Sequence, residues 1–557
     1  MGRQWRSLRI LLIGSACLLA PARLVHAGEG QEAPTVLRIA VSGLPSSLFP
    51  IRSRTAEMSY VRGFIGRSLT IYDKSWAVAC SLCTELPTLQ NGRARIVTRE
   101  DGSKGIDVTF DLDPDLAWDD GVPVTTADVL LGIEVARKVG AADLTGLLDA
   151  VALDDHRFTL RVAGVRFDYN HKENLYLLPA HRERAIYEAA AGPAEYRSRS
   201  LYVTDPTAPG LSYGPYKIAH LGPKEIILER NSHWPGKMPS FERIELREFD
   251  DAASAGADLA AGRIDMVAGE IGGLDVEGVY QLEAEDKRSA YEFLYKPTLV
   301  YQHIDINLAN DLLQDKRLRK ALLLSLDRPI ATEGHGPRSA GDPPRSFLPP
   351  TSPNFDPTLS LTPYDPVQAA ALLDAAGYRR GADGVRVDPR GRRLAFRLAA
   401  QLEATVNRRT VDHIKDQWRE AGIEITLENA PAMSEILPRR DFDLAFYDWV
   451  NLPEFPLEPV YGKSGIPSAE NGYRGSNFPG FDNAEMNKVV AALATELDPS
   501  RRLLLWRRAQ QIYAEELPAL PLAFLTEVYI LPATMTGVEP TGHMIPTSFW
   551  VEDWKLR

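Results

Sequence analysis

Apolar and polar positions alternate with a period of two along LRIAVS (37–42), IDVTFDLD (106–113) and RFTLRVA (157–163), and each stretch predicts a half-buried strand. KIAHLGPKEIILERN predicts two short strands about the Gly222-Pro223 turn, and VYQHIDINL (300–308) another strand. Residues 252–269 read as a helix followed by a strand. In DKRLRKALLLSLDR (315–328) the period lengthens: Leu318, Ala321, Leu322 and Ser325 share one helical face, with basic residues opposite. YDPVQAAALLDAAGY (364–378) is punctuated as a helix, with Asp365 as cap, Pro366 in the first turn and Gly377 as stop. HIKDQWREAGIEITLE places Gly422 between a helix and a strand. DFDLAFYDWV (441–450) is a strand whose end carries aromatic and acidic groups. A long helix (499–518) and an apolar run (519–531) close the chain, with no short repeat and no low-complexity segment. The pattern is mixed α/β.

One stretch resists a purely structural reading at first sight. DPDLAWDDGVPVTTADVLLGIEVAR (113–137) crowds acids around a tryptophan and a glycine. A calcium loop with Gly121 as its sixth residue needs acids at Leu116, Trp118 and Asp120 and a glutamate at Ala127, so three ligand positions fail. A helix start fits better. Thr125 serves as N-cap with Asp128 three residues on, Gly121 and Pro123 supply the turn, and Asp119 and Asp120 lie near the positive end of the helix.

The first 27 residues carry Arg3, Arg6 and Arg9 before an apolar core from Ile10 to Ala20, then Val25-His26-Ala27 as a small-residue cleavage site. This reads as a secretory signal peptide, too short and too broken by Pro21 and Arg23 for a membrane span. Lipoprotein anchoring at Cys17 is the weaker reading, because Gly14 stands where an apolar residue is usual. Removal of four arginines and no acids takes the formal charge from −12 to −16. No basic stripe remains to neutralise a phosphate backbone, which argues against nucleic acid as a partner. The remaining chain is long enough for about three domains.

Cys80 and Cys83 are then the only cysteines, without a second C-x-x-C or a nearby histidine pair, so half of a zinc site is missing. In an oxidising compartment they form a local disulfide or stay buried. No G-x-S-x-G, no S-x-x-K with its companion motifs and no H-E-x-x-H occurs, and the ten histidines are scattered singly. The expectation is a protein that is not an enzyme and uses no cofactor and no metal.

The ordered segments resemble one family: extracellular solute-binding proteins of the dipeptide/oligopeptide class, family 5, receptors of ABC importers. The resemblance rests on Trp118-Asp119-Asp120-Gly121-Val122-Pro123-Val124-Thr125-Thr126-Ala127-Asp128-Val129, then YGPYKI (213–218), LERNSHWPG (228–236), GRIDMV (262–267), 315–328, 364–378, AGIEITL (421–427) and 441–450. It spans nearly the whole chain after the leader, in the right order. It implies a periplasmic binding protein-like fold of the cluster C type, two α/β lobes with a two-segment hinge and an additional inserted domain. The implied division is lobe I over 28–75, 205–297 and 520–557, a small domain over 76–204 and lobe II over 298–519. A monomer that encloses its ligand and docks on an ABC permease is implied as well. The acidic corner becomes a hallmark of the smaller part, not a catalytic centre.

Peptide-binding members grip the free amino group with an aspartate shortly after a Gly-Trp pair. Here Asp448-Trp449 replaces that pair and the aspartate's position falls at Leu452, which leaves Asp448 or Glu454 as substitutes. Trp449 is the prime ligand contact, an apolar face with an indole donor. Asn451, Tyr473, Asn477, Tyr301 and Ser42 complete the candidate cleft wall. Without the aspartate, a blocked or modified peptide, a metal chelate or a lipid-like compound is the alternative ligand. An exported hydrolase or a Cys80/Cys83 redox protein is the alternative of another class.

Overall fold

The computed structural model describes residues 35–557 except 52–54, 140–143, 145, 174, 272–273, 275, 287–288, 333–341 and 544. The leader and Cys17 lie outside the described residues. One ten-stranded sheet organises the chain, in the order Glu424–Asn429, Ala395–Ala400, Leu444–Val450, Tyr291–Ile306, Ala519–Pro532, Met266–Val267, Val36–Val41, Arg243–Glu248, Glu225–Arg230 and Tyr216–Leu221. Its centre is the antiparallel pair Tyr291–Ile306 and Ala519–Pro532, long enough to belong to both halves.

Their ladder changes register between Pro297 and Tyr301. Proline lacks the N–H that a regular ladder requires. Thr298 fills the gap: its hydroxyl donates to Leu525 O at 2.9 Å and accepts from Val300 N at 3.1 Å. On one side of this break the pair is flanked by Met266–Val267, on the other by Leu444–Val450. The cores separate in the same way. Ile39, Phe64, Tyr216, Leu246 and Trp554 pack together on the first side. Ile304, Leu322, Leu398, Trp418 and Leu444 pack on the second.

Helix Thr405–Ala421 shows how the sequence builds the second half. Val411, Ile414 and Trp418 bury one helical face, Trp418 Nε1 donates to Leu322 O at 3.0 Å, and Gly422 at φ +87° ends the helix in a conformation that suits glycine. Helix Lys316–Leu324 is shorter than its pattern predicts. Asp327 caps a separate turn, Arg328–Ala331, whose Pro329 cannot continue the preceding helix.

A separate four-stranded antiparallel sheet joins Ala94–Thr98, Lys104–Asp111, Arg157–Ala163 and Leu147–Ala152. The acidic corner anchors it. Thr125 N donates to Asp128 Oδ2 at 2.7 Å, closing the capping box, and Asp128 also accepts from Ala180 N and Trp118 Nε1. Asp119 accepts from the amides of Gly210 and Ser212, and Asp120 meets His181 Nε2 at 3.0 Å. Asp119, Asp120 and Asp128 are thus spent on backbone amides, His181 and the indole of the fully buried Trp118. Cys80 and Cys83 form a disulfide beside this sheet.

Candidate functional site

Strand Leu444–Val450 begins buried and ends at the surface, so its last side chains are presented and not packed. Trp449 lines a cleft of about 440 Å³ with Phe478, Phe446, Met433, Leu437 and Gln401. Its ring meets Phe478 edge-on at 6.3 Å. An aromatic wall with few polar groups suits an apolar or planar guest. Asp448 lies at the rim, but Gln302, directly across the ladder, donates an amide hydrogen to its Oδ1 at 3.0 Å.

Behind the cleft runs a buried polar chain. Tyr447 donates to Asp305 Oδ2 at 2.6 Å, His303 Nε2 stands 3.3 Å from Asp305, and His303 stacks on Tyr301 at 4.7 Å. The Tyr301 hydroxyl bonds that of Tyr513 at 2.6 Å, and Tyr513 donates to Ala519 O. Burial pushes the hydroxyls of Tyr301, Tyr447 and Tyr513 well above the usual phenol range, so they stay neutral donors. Tyr301 is therefore engaged in the core and not at the cleft surface.

The other candidates fall elsewhere. Asn451 is buried, with its amide donating to Phe347 O at 2.9 Å. Asn477 is fully buried and stitches its own loop: its amide donates to Gly462 O and Phe481 O, and its carbonyl accepts from Phe481 N. Tyr473 is exposed in that loop at φ +58°. Ser42 lies on the opposite half of the sheet, where its hydroxyl donates to Ile271 O. Trp449 and Asp448 share a cleft; the remaining six do not line it.

Glu454 has a different role. Arg502 Nη2 reaches its Oε2 at 3.4 Å, while the guanidinium lies 3.7 Å above the Phe167 ring. Phe167 follows the four-stranded sheet and Arg502 belongs to helix Pro499–Glu516, so this stack fastens two separately built parts of the molecule. Burial lowers the Arg502 pKa, and Glu454 is first among the groups that oppose the shift. Sequence reasoning missed Arg502 because it sits in a helix with several other arginines; only its burial distinguishes it.

A continuous sheet crossed by two strands, with a separate core on each side and an added small sheet, defines the periplasmic solute-binding class of fold. The family model of bacterial extracellular solute-binding proteins, family 5 middle region, matches residues 97–467, and the chain belongs to that family. The oligopeptide-binding protein OppA of Mycobacterium tuberculosis H37Rv is 24% identical over 469 residues, 78% of this chain and 72% of its own. The oligopeptide-binding protein of Thermus thermophilus, solved with a pentapeptide, superposes with a TM-score of 0.66 at 24% identity over 94% of this chain and 96% of its own. NikA of Brucella suis, solved with Fe(III)-EDTA, superposes with a TM-score of 0.74 at 17% identity over 94% of this chain and 100% of its own. Among the described residues no helix is long and apolar enough to cross a membrane.

Proposed function

We propose that the chain is an exported receptor that captures a peptide or peptide-like solute between two lobes and delivers it to an ABC permease. The observation that carries this reading is the family match across most of the chain, joined to relatives described as oligopeptide-binding that are matched over 72% and 93% of their own length. The lobe boundaries set out above, cleavage after Ala27, a monomeric state and action by binding without catalysis belong to the same proposal. The register break at Pro297–Tyr301 supports a hinge there, since among the described residues these two strands contribute to both cores of the large sheet. Trp449 and its cleft supply the apolar wall.

A non-peptide solute is the second reading, and Leu452 favours it. This side chain is half exposed where the peptide receptors carry their amine-gripping acid, and the two nearby acids already hold Gln302 and Arg502. Mass spectrometry of the small molecule released from natively purified protein separates the two. A peptide, together with compaction in solution scattering and a raised Tm on rebinding, supports the receptor reading. Stripped protein that neither compacts nor gains Tm across peptide and metabolite libraries overturns it.

A further inference from the structure

Across the hinge from Trp449, four segments converge on a second polar site. Strand Ala519–Pro532 brings Glu527 and, two residues on, Tyr529, whose hydroxyl donates to Glu527 Oε2 at 2.7 Å. Glu270 follows strand Met266–Val267 and accepts from Thr547 N at 2.5 Å through Oε1. Two close approaches put these groups together. A Cβ on Gly269 would stand 2.8 Å from the Tyr529 ring, and one on Gly63 would stand 2.8 Å from the Ser548 backbone. Helix Ala56–Ile65 thereby lies against turn Thr547–Asp553, and Tyr60 faces Glu270 and Thr547.

These groups are not satisfied. Glu270 Oε2, the Tyr60 hydroxyl and Thr547 Oγ1 are shielded from solvent and have no hydrogen-bond partner among the described residues. Tyr60 and Thr547 are themselves almost wholly buried, at 0% and 2% exposure. A buried polar atom without a partner costs about 1–3 kcal/mol, and here one Glu270 oxygen and two hydroxyls, which can donate or accept, lie beside the second carboxylate of Glu527, an arrangement suited to an occupant with several donors and positive charge. Lys296 is opposite Glu527 in the ladder. Among the described residues no group of three metal-binding side chains exists. A primary ammonium supplies three donors on a compact cation, matching acceptors that arrive from different elements.

We infer that Glu270, Glu527, Tyr60 and Thr547 form a binding subsite for a protonated primary amine carried by the ligand. This rests on the receptor reading and deepens it: the cationic end of the solute is held at the hinge, from the half of the sheet opposite Leu452. Burial first and the charge of Glu270 second push Glu527 up to about 8, and burial raises Glu270 as well.

The test is calorimetry and thermal melting on the stripped full-length mature protein. The probes are trialanine, N-acetyl-trialanine, the amide of N-acetyl-Ala-Lys-Ala, and butylammonium chloride against butanol. Tighter binding of trialanine than of its acetylated form, weakened about 30-fold or more by Glu270→Gln, supports the subsite with an α-amino group as source. Preference for the lysine probe, lost in the same variant, supports it with a side-chain source. Tyr60→Phe, which removes one acceptor without a charge change, weakens the same probe by about 5-fold and covers the case in which Glu270→Gln does not fold. Equal binding of free and acetylated peptides, or ammonium probes unaffected by folded Glu270→Gln or by Tyr60→Phe, overturns the subsite and leaves the receptor intact. A Tm rise with butylammonium alone, absent in Glu270→Gln or, should that variant not fold, smaller in Tyr60→Phe, keeps the subsite and removes the peptide reading. No response to any probe removes both.

Discussion

The Trp449 cleft and the Glu270–Glu527 site sit on the same ten-stranded sheet, one on each side of the register break, and dispose of their polar groups in opposite ways. Around Trp449, Asp448 has Gln302, and Tyr447, Asp305 and His303 serve one another. Around Glu270, one carboxylate oxygen and two hydroxyls are buried without a hydrogen-bond partner among the described residues. A polar group already paired inside the fold contributes stability and leaves little for a guest. One left unpaired lowers stability and is free to discriminate between guests. The first region therefore offers surface, the second offers charge.

The largest expected effect breaks the satisfied side. Asp305 is 4% exposed, accepts from Tyr447 and lies 3.3 Å from His303 Nε2. Asp305→Ala strands the buried Tyr447 hydroxyl and removes the carboxylate beside His303, and is expected to cost about 3 kcal/mol of stability, read by urea unfolding. Charge selectivity should not change, because that belongs to the other side of the hinge. A variant with wild-type stability would show that the chain of side chains behind the cleft is not holding it.

Trp449→Ala comes next. A desolvated aromatic contact is worth about 1–3 kcal/mol of affinity, and the partly exposed ring should take little stability with it. Calorimetry with the natively bound solute checks this. Unchanged affinity would move the apolar contact away from this cleft and leave the acidic site alone with the ligand.

These two regions also differ in how far the sequence reveals them. Trp449 was legible because it ends an alternating strand, and the capping box at Thr125 and Asp128 and the stop at Gly422 were legible because local chemistry decides them. The first half of strand Tyr291–Ile306 was not: its side chains are partly buried on both faces, so YEFLYKPTL shows no alternation. Asn477 and Asn451 read as polar loop residues open to a ligand, and only the fold shows their amides closing backbone turns. Glu270 sits in a glycine-rich stretch to which the sequence assigns no element, and its neighbours come from positions 60, 527 and 547. No local periodicity connects segments so far apart. Packing of distant elements does, and the signals for it, Gly63 and Gly269, carry no side chain to read.

A smaller effect sharpens the contrast through pH. Glu527 is raised to about 8 by burial first and by Glu270 second, with Tyr529 donating to it, Tyr60 facing Glu270 and Lys296 across the ladder. Its folded pKa lies above its unfolded one of about 4.3. The protonated form is thus favoured in the fold, and the stabilisation it brings is full below the unfolded value and lost as pH rises through about 8. Melting of the ligand-free protein should show a Tm that falls between pH 5 and 8.5, by roughly three or four degrees for a chain this long. Glu527→Gln should flatten the fall, with Glu270 leaving a remnant of the same sign. A bound amine should abolish it by holding both carboxylates charged.

The smallest effect concerns the fastening between the two regions' supports. Glu454 meets Arg502 at 3.4 Å with its own side chain 28% exposed, so water competes for the carboxylate. Arg502 keeps its other ties without it, to the carbonyls of Leu493 and Glu496 and to the face of Phe167. Glu454→Gln is therefore expected to cost at most about 1 kcal/mol, visible as a slight shift of the urea midpoint. Selectivity between free and acetylated peptides should stay as in the wild type. Loss of that selectivity would mean that Glu454, and not Glu270, receives the amine, and that the charged end of the guest lies on the same side as the tryptophan.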